Sequence, residues 1–586
     1  MTVRLLLAST VITMDEERSR AGAVLVDDAT GTILAVGSAD ECRAALPADV
    51  SSGDVEVVDL GDTVLAPGFI EPHSHPVLSG ISTQPPAIWI APYVGFPTWD
   101  DVAAEFRRAD AETTPGQALL FTGLDRLLQG ADELDRTTLD GFFPERPVVI
   151  LDNSGHEVYF NSGAIAVLGW PDGIAPPDPV GASYGRDADG RSDGRANELA
   201  AVMAVCGPVL ADAVPHPLQS AALWYAQMAR NGITATSDMT YGTTSLPAYE
   251  ALASVPDCPL RISLYHMSTE PDADKPLHSR VPEAMLRKQG IKLWADGSPW
   301  VGTAALSYPY LDNATVRGAG IPVGPSGTST MNYSAEELDA IIDRFVGPDS
   351  EGHWQLSFHC NGDAGLDVVL DVYRRALQRH GLTGSDHRWR IEHLGGARAD
   401  QFATVAELGA HPSMGPFQFI YWGDLLDGTL FPSEIGSQWM RFADAVDSGA
   451  CVSFHNDGSV SPAIPLLNIQ AAVTRRTPSG TLHGPEQRIG LDAAWSAHTV
   501  AAARTLHRDH EIGSLEPGKL ADLVELSADP ATVDPDRLTE LVTVRGTWRG
   551  GRRIDLDAFV AEITAIDPSE RQAHATALHA APRHTC

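Results

Sequence analysis

Cysteine is scarce: six in 586 residues, at positions 42, 206, 258, 360, 451 and 586, with no Cys-x-x-Cys pair and no regular spacing. That pattern argues against both a disulfide framework and a zinc ribbon. Positive charge is scarce too. Lys and Arg total 41 against 77 Asp and Glu, a formal net charge of -36. Such a surface repels a phosphate backbone and an anionic bilayer, so no nucleic acid and no membrane surface is expected as a partner. No run of about twenty apolar residues occurs anywhere. The apolar start around Leu5-Leu6-Leu7 follows a single positive charge, Arg4, and does not read as a secretion signal. The expectation is a cytoplasmic protein acting on a small molecule, alone or as a homodimer.

What is present is enough for a large core. The chain exceeds one ordinary domain, and its hydrophobic share of 43% fits a soluble globular enzyme. Residues 1–66 carry short β-branched runs such as Ala23-Val24-Leu25-Val26 between Asp/Gly turns, an all-β texture. The same texture returns within 507–565, at Asp522-Leu523-Val524-Glu525-Leu526 and Val542-Thr543-Val544. The two ends are expected to pair into one small β-sandwich. Residues 566–586 show no period and read as a flexible tail.

Between these ends, residues 67–506 alternate strand and helix. Eight strands can be counted: those leading to His73, Asp238, Tyr265, Lys292, His359, His393, Met414 and Asp457. A closed (β/α)8 TIM barrel is the economical architecture, an α/β fold whose active residues sit at strand C-termini. The count requires an insertion after the first barrel strand, at about 77–225, placed to act as a lid. Within it, Gly181 to Gly194 reads as a loop. His156 and Asn161 are candidate substrate contacts, with Glu198 and, beyond the insertion, Trp300.

The stretch Pro67-Gly68-Phe69-Ile70-Glu71-Pro72-His73-Ser74-His75 ends an apolar run with two imidazoles two residues apart. On a strand such residues share a face, so His73 and His75 can reach one metal ion. Later strand ends add His359, His393 and Asp457. Four nitrogens and one oxygen suit a catalytic zinc site, which keeps a position for water. Lys292, inside an apolar strand, is not a ligand as an ammonium and pays desolvation. Carboxylated by carbon dioxide, it becomes a carbamate able to bridge two metals. Otherwise it pairs with a carboxylate such as Asp296, and Glu198 becomes the rival bridge.

These pieces, together with Ile291 to Ser298, Asn456-Asp457-Gly458 and Ile512-Gly513-Ser514-Leu515-Glu516-Pro517-Gly518-Lys519-Leu520-Ala521-Asp522-Leu523, resemble the amidohydrolase superfamily, specifically its YtcJ-like branch, amidohydrolase family 3. The resemblance spans nearly the whole chain. It implies a barrel with a composite β-sandwich, and one or two divalent ions, with zinc the expected metal. It also implies that His73, His75 and Asp457 hold one ion, that His359 and His393 hold a second, and that carboxylated Lys292 bridges them. Glu71-Pro72 and Asn456 depart from the branch's usual residues and bear on substrate identity.

The function expected is hydrolysis of a carbon–nitrogen bond other than a peptide bond, of N-substituted amide or formamide type, with Asp457 moving the proton. Alternatives on the same scaffold are ester, lactone or carbamate hydrolysis, decarboxylation or isomerisation. From another class comes a binding protein that has lost its chemistry. That reading predicts a damaged ligand set, whereas every candidate ligand is present.

Overall fold

Runs such as Ile291-Lys292-Leu293 and Leu356-Ser357-Phe358 alternate apolar with polar residues, and the computed structural model shows what the alternation does. It describes residues 2–566 except 49, 132, 133, 180 and 349. Eight parallel strands follow one another in sequence order: β1 (Phe69–Glu71), β2 (Ile233–Tyr241), β3 (Arg261–Met267), β4 (Leu286–Trp294), β5 (Gln355–Cys360), β6 (Arg390–His393), β7 (His411–Met414) and β8 (Ser453–Phe454). Lys292 on β4 lies in register with Met267 and Ser357, and Ser357 with Arg390. These residues share the inner face. Ile291, Leu293, Leu356, Phe358 and Ile391 occupy the other face and are fully buried in the main core, each stabilising the fold by about 1.5–3 kcal/mol.

The seam between β8 and β1 is closed by other means than a strand ladder. Phe454 N–H donates to Ala497 O at 2.9 Å and Ile70 N–H to His498 O at 2.7 Å, so residues 497–498 sit between the two strands. Above them, Asn456 donates its backbone N–H and its Nδ2 to the two carboxylate oxygens of Glu71, both at 2.6 Å. Glu71 and Asn456, the two departures from the branch pattern, therefore form one clasp across the seam. Burial pushes the Glu71 carboxyl up to about 8, although both oxygens accept from Asn456.

The two chain ends pair, as expected, and what they build is one mixed eight-stranded sheet. Leu523–Leu526, from the C-terminal part, pairs with Val64–Pro67, which in turn pairs with Val3–Ile12. Leu6, Val24, Leu65, Leu523 and Trp548 fill one of its cores, while Leu5, Leu25 and Cys42 pack on the other face. The sheet is tied to the barrel by Arg261, whose guanidinium pairs with Asp522 at 2.5 Å in a buried contact. The tail expected from residue 566 lies, past that residue, outside the described residues.

The chain leaves the barrel after helix Pro76–Thr83 and returns through helix Pro217–Arg230. These two helices pack so closely that a Cβ on Gly80 would come within 2.5 Å of the Ala221 backbone. Between them stands a separate six-stranded sheet with its own aromatic core around Phe106, Phe121 and Phe143. The expectation of a loop over Gly181 to Gly194 is corrected: Ser183–Arg186 and Ser192–Asn197 form an antiparallel hairpin. Its turn is set by Asp187, whose side chain accepts from Asp189 and Arg191 N–H, and by Gly190 at φ 78°. No single helix among the described residues is long and apolar enough to cross a membrane.

Candidate metal centre

His73 and His75 leave the end of β1 toward the barrel mouth, and Asp457 leaves the end of β8 toward them. Asp457 Oδ1 lies 3.3 Å from His75 Nε2 and 3.5 Å from His73 Nε2, and Oδ2 lies 3.7 Å from His393 Nδ1. Lys292 Nζ, from the inner face of β4, is 3.5 Å from His73 Nε2. The ring of His393 stands 4.7 Å from that of His73 and 4.5 Å from that of His359. The six residues expected around a metal thus converge on one cavity.

Three residues at the site adopt left-handed backbone: His393 at φ 71°, Asp457 at φ 55° and Glu198 at φ 66°. Each costs on the order of 1–3 kcal/mol and persists because the surrounding structure fixes it. At His393 the consequence is direct. Neighbours on a strand face opposite ways, yet Glu392 and His393 both reach the site because the chain turns between them.

Glu392 is the residue that sequence reasoning missed. Its Oε2 accepts from His73 Nδ1 at 2.8 Å and from Arg390 Nη2 at 2.9 Å, and its Oε1 accepts from Ser357 Oγ at 2.7 Å. The carboxylate holds the proton on His73 Nδ1, leaving Nε2 free toward Asp457 and Lys292. Thr240 Oγ1 stands 3.3 Å from His75 Nδ1, while His455 stacks on His73 and links His393 Nδ1, at 3.2 Å, to Ser413. The available signal was Arg390-Ile391-Glu392 itself, two charges at strand spacing inside an apolar strand.

The donor set fits a divalent cation. Burial, then the facing Lys292 charge, holds His73 well below the ordinary imidazole range; burial with His156 does so for His359, and burial with His359 for His393. Neutral imidazoles keep their lone pairs. His393 Nε2 is buried with no hydrogen-bond partner, an arrangement that costs free energy unless something occupies it. Burial raises the Asp457 carboxyl, but contacts with His75 and the nearby cationic groups outweigh it and hold the pKa below the usual range. The ligand atoms of His73, His75 and Asp457 lie within 4.8 Å of one another, as do those of His393, His455 and Asp457.

The pairing of Lys292 with Asp296 does not occur. Asp296 accepts from the N–H groups of Ala305, Asn361 and Gly362 and is fully engaged. Burial lowers Lys292 to about 8, against the pull of Glu392 and Asp457. His359 Nε2 lies 3.2 Å from Gly297 O and from Asn361 Nδ2. Glu198, the rival bridge, binds His156 Nδ1 at 2.8 Å, and its Oε1 is buried without a partner. His156 lines the cavity, with its ring 5.2 Å from that of His359.

Two expected substrate contacts lie elsewhere. Asn161 caps helix Ser162–Leu168, and its amide is consumed by Val148, Ala164, Phe143 and Arg146 backbone groups. Trp300 stacks on Trp422 at 4.3 Å, outside the cavity lining. Asn161 is a cap and Trp300 a packing residue.

A parallel barrel whose mouth gathers imidazoles, a carboxylate and a lysine is the site of a metal-dependent hydrolase. Residues 56–555 match the model of the Amidohydrolase family, Amidohydro_3, and the chain belongs to that family. It is similar, at 26% identity over 92% of this chain and 96% of the other, to the N-substituted formamide deformylase of Arthrobacter pascens. It is 24% identical to the protein YtcJ of Bacillus subtilis strain 168, over 92% of this chain and 97% of that one. Among solved structures, an uncharacterized metal-dependent hydrolase from Pyrococcus horikoshii shares the fold with a TM-score of 0.68, at 21% identity, covering 91% and 99% of the two chains.

Proposed function

We propose that this chain hydrolyses a carbon–nitrogen bond other than a peptide bond, in an N-substituted amide or formamide. The observation that carries the reading is Asp457, a carboxylate set between His73, His75 and His393 and lining the cavity. The name of the Arthrobacter pascens relative supports the bond type. His73, His75 and Asp457 would hold one divalent ion and His359 and His393 a second, with zinc suited to so imidazole-rich a set and Lys292, as a carbamate, between them. Such an ion, when bound, polarises a carbonyl and lowers the pKa of water.

The chain's own groups do the rest. Asp457, ionised at neutral pH, can accept a proton from the attacking water and return it to the leaving nitrogen. Glu392 keeps the His73 ring in one tautomer and orientation through the 2.8 Å contact. Burial opposes protonation of His156, but Glu198 outweighs it and raises the pKa. With Nδ1 on Glu198, His156 would turn its other ring nitrogen toward substrate from the inserted layer. The test is a hydrolysis screen over N-alkylformamides, N-alkylamides, carbamates and lactones, with and without chelator. Chelator-sensitive turnover of the formamides or amides is expected. Turnover confined to lactones or esters would refute the bond assignment.

A further inference from the structure

Beyond the ligands, three elements run away from the centre side by side. Helix Pro76–Thr83 starts at His75, helix Leu199–Ala213 starts at Glu198, and strand Val148–Asp152 leads into His156. The cavity continues between them. Its wall on the long helix is Leu199, Val202, Met203, Cys206 and Leu210, a spacing that keeps all five on one helical face. That helix is apolar nearly all round. One side packs into the core through Val205 and Val209, and on the other side Val202, Cys206 and Leu210, also buried, form the wall of this cavity.

The opposite wall is equally apolar. Leu78 and Ile81 come from the short helix, and Leu120 and Leu151 from the inserted sheet. Ser82 lies among them, but its hydroxyl is spent on Leu78 O at 2.8 Å. Among the described residues, Lys292 and Asp457, both at the catalytic end, are the only Asp, Glu, Lys or Arg residues lining the cavity. Two residues past Leu210, Asp212 accepts from the N–H of Ala118, two residues before Leu120, at 2.6 Å. From Leu199 to Leu210, at 1.5 Å per residue, the wall extends about 16 Å.

We infer that this cavity is the subsite for an uncharged apolar arm of the substrate, an unbranched alkyl or arylalkyl group attached next to the scissile bond, with Cys206 and Leu210 setting its length. The inference rests on the hydrolase reading for the word substrate, but the subsite itself can be tested without turnover. Straight-chain primary alcohols, uncharged and unreactive, serve as probes. Their binding to metal-stripped protein is measured by calorimetry from propanol to dodecanol.

Affinity should rise three- to fourfold per methylene, the ratio set by about 0.8 kcal/mol for each CH2 buried, and then level off. Cys206→Trp should shorten the chain length at which it levels off, and Leu210→Ala should lengthen it. The two variants cover each other if one fails to fold. No chain-length dependence, or a cut-off unmoved in the folded variants, overturns the inference. In the loaded enzyme, kcat/KM should climb in the same way along N-alkylformamides or along N-methylalkanamides, whichever side of the bond carries the arm. A flat profile in both series overturns it. Absence of amide turnover with alcohol binding intact would instead strike the bond assignment and leave the apolar subsite standing.

Discussion

Glu392→Gln tests how much of the metal centre is held by a residue that touches no metal. The wild-type carboxylate is acceptor only, and it meets His73 Nδ1 at 2.8 Å, Ser357 Oγ at 2.7 Å and the Arg390 guanidinium at 2.8 and 2.9 Å. Gln is nearly the same size but turns one oxygen into an NH2 group. Whichever way the amide sits, its NH2 then faces a guanidinium N–H: Arg390 Nη2, together with His73 Nδ1, on one side, or Arg390 Nε on the other. One buried unsatisfied donor costs about 1–3 kcal/mol, and stripping Arg390 of its buried anion adds to that, within the 3–5 kcal/mol typical of a broken buried pair. For the metal, loss of such an orienting partner costs about 10–100-fold in affinity. The assay is competition with a chromophoric chelator for zinc and for manganese, alongside urea unfolding of the metal-free protein. His73→Ala serves as control, because it removes a proposed ligand yet leaves Glu392 paired with Arg390 and Ser357. Metal affinity within twofold of wild type in folded Glu392→Gln would refute the reasoning that His73 needs this partner.

Asp457→Asn should keep the fold and part of the metal while turnover falls by a factor on the order of a hundred or more; near-normal turnover in metal-loaded protein would move proton transfer to His455 or His156. Lys292, lowered to about 8 by burial, presents more neutral amine as pH rises through that value, so at a fixed concentration of dissolved carbon dioxide, the species the amine attacks, stripped enzyme should be reactivated with zinc faster at pH 9 than at pH 7. Equal rates at both, or no mass increment for a carbamate on Lys292, would count against the bridge. Glu71 is an acid whose folded pKa lies above its ordinary 4.5, so the stability it contributes is full below 4.5 and is lost as pH climbs toward about 8. The stability gap between wild type and Glu71→Gln, followed by urea midpoint, should therefore shrink across that window; a constant gap refutes the clasp's titration.

The barrel was legible because its strands are short apolar runs that end in chemistry-bearing residues, and that pattern survives any uncertainty about boundaries. His73, His75, His359, His393, Lys292 and Asp457 all reach one cavity for this reason. The inserted sheet was less legible. Its hairpin at 183–197 is rich in Gly and Asp, and its strands pair with each other and, through Ser192–Asn197, with Glu157–Phe160, without an alternating apolar face to announce them. Asn161 and Trp300 misled because a polar or aromatic residue near a strand end looks the same in sequence whether it caps a helix or meets a ligand. Only its hydrogen bonds distinguish the two.

Strand periodicity assigns opposite faces to consecutive residues, so Glu392 and His393 could not both be placed at the site from sequence. The structure resolves the conflict by turning His393 to φ 71° and Leu394 to φ 60°. That backbone is unfavourable for both residues, and no glycine relieves it there; Gly395 and Gly396 follow one residue too late. The turn is held instead by Leu394 N–H on Cys360 O at 3.0 Å and Gly396 N–H on Asn361 O at 2.9 Å, both from the end of β5. Those contacts fix the last residue of β6 against the strand that carries His359. The two imidazoles expected to share an ion are therefore set 4.5 Å apart by backbone bonds between their own strands. A site built this way keeps its spacing before any metal arrives, and the strain at His393 is the local cost of bringing a ligand and its neighbour's orienting carboxylate to the same side.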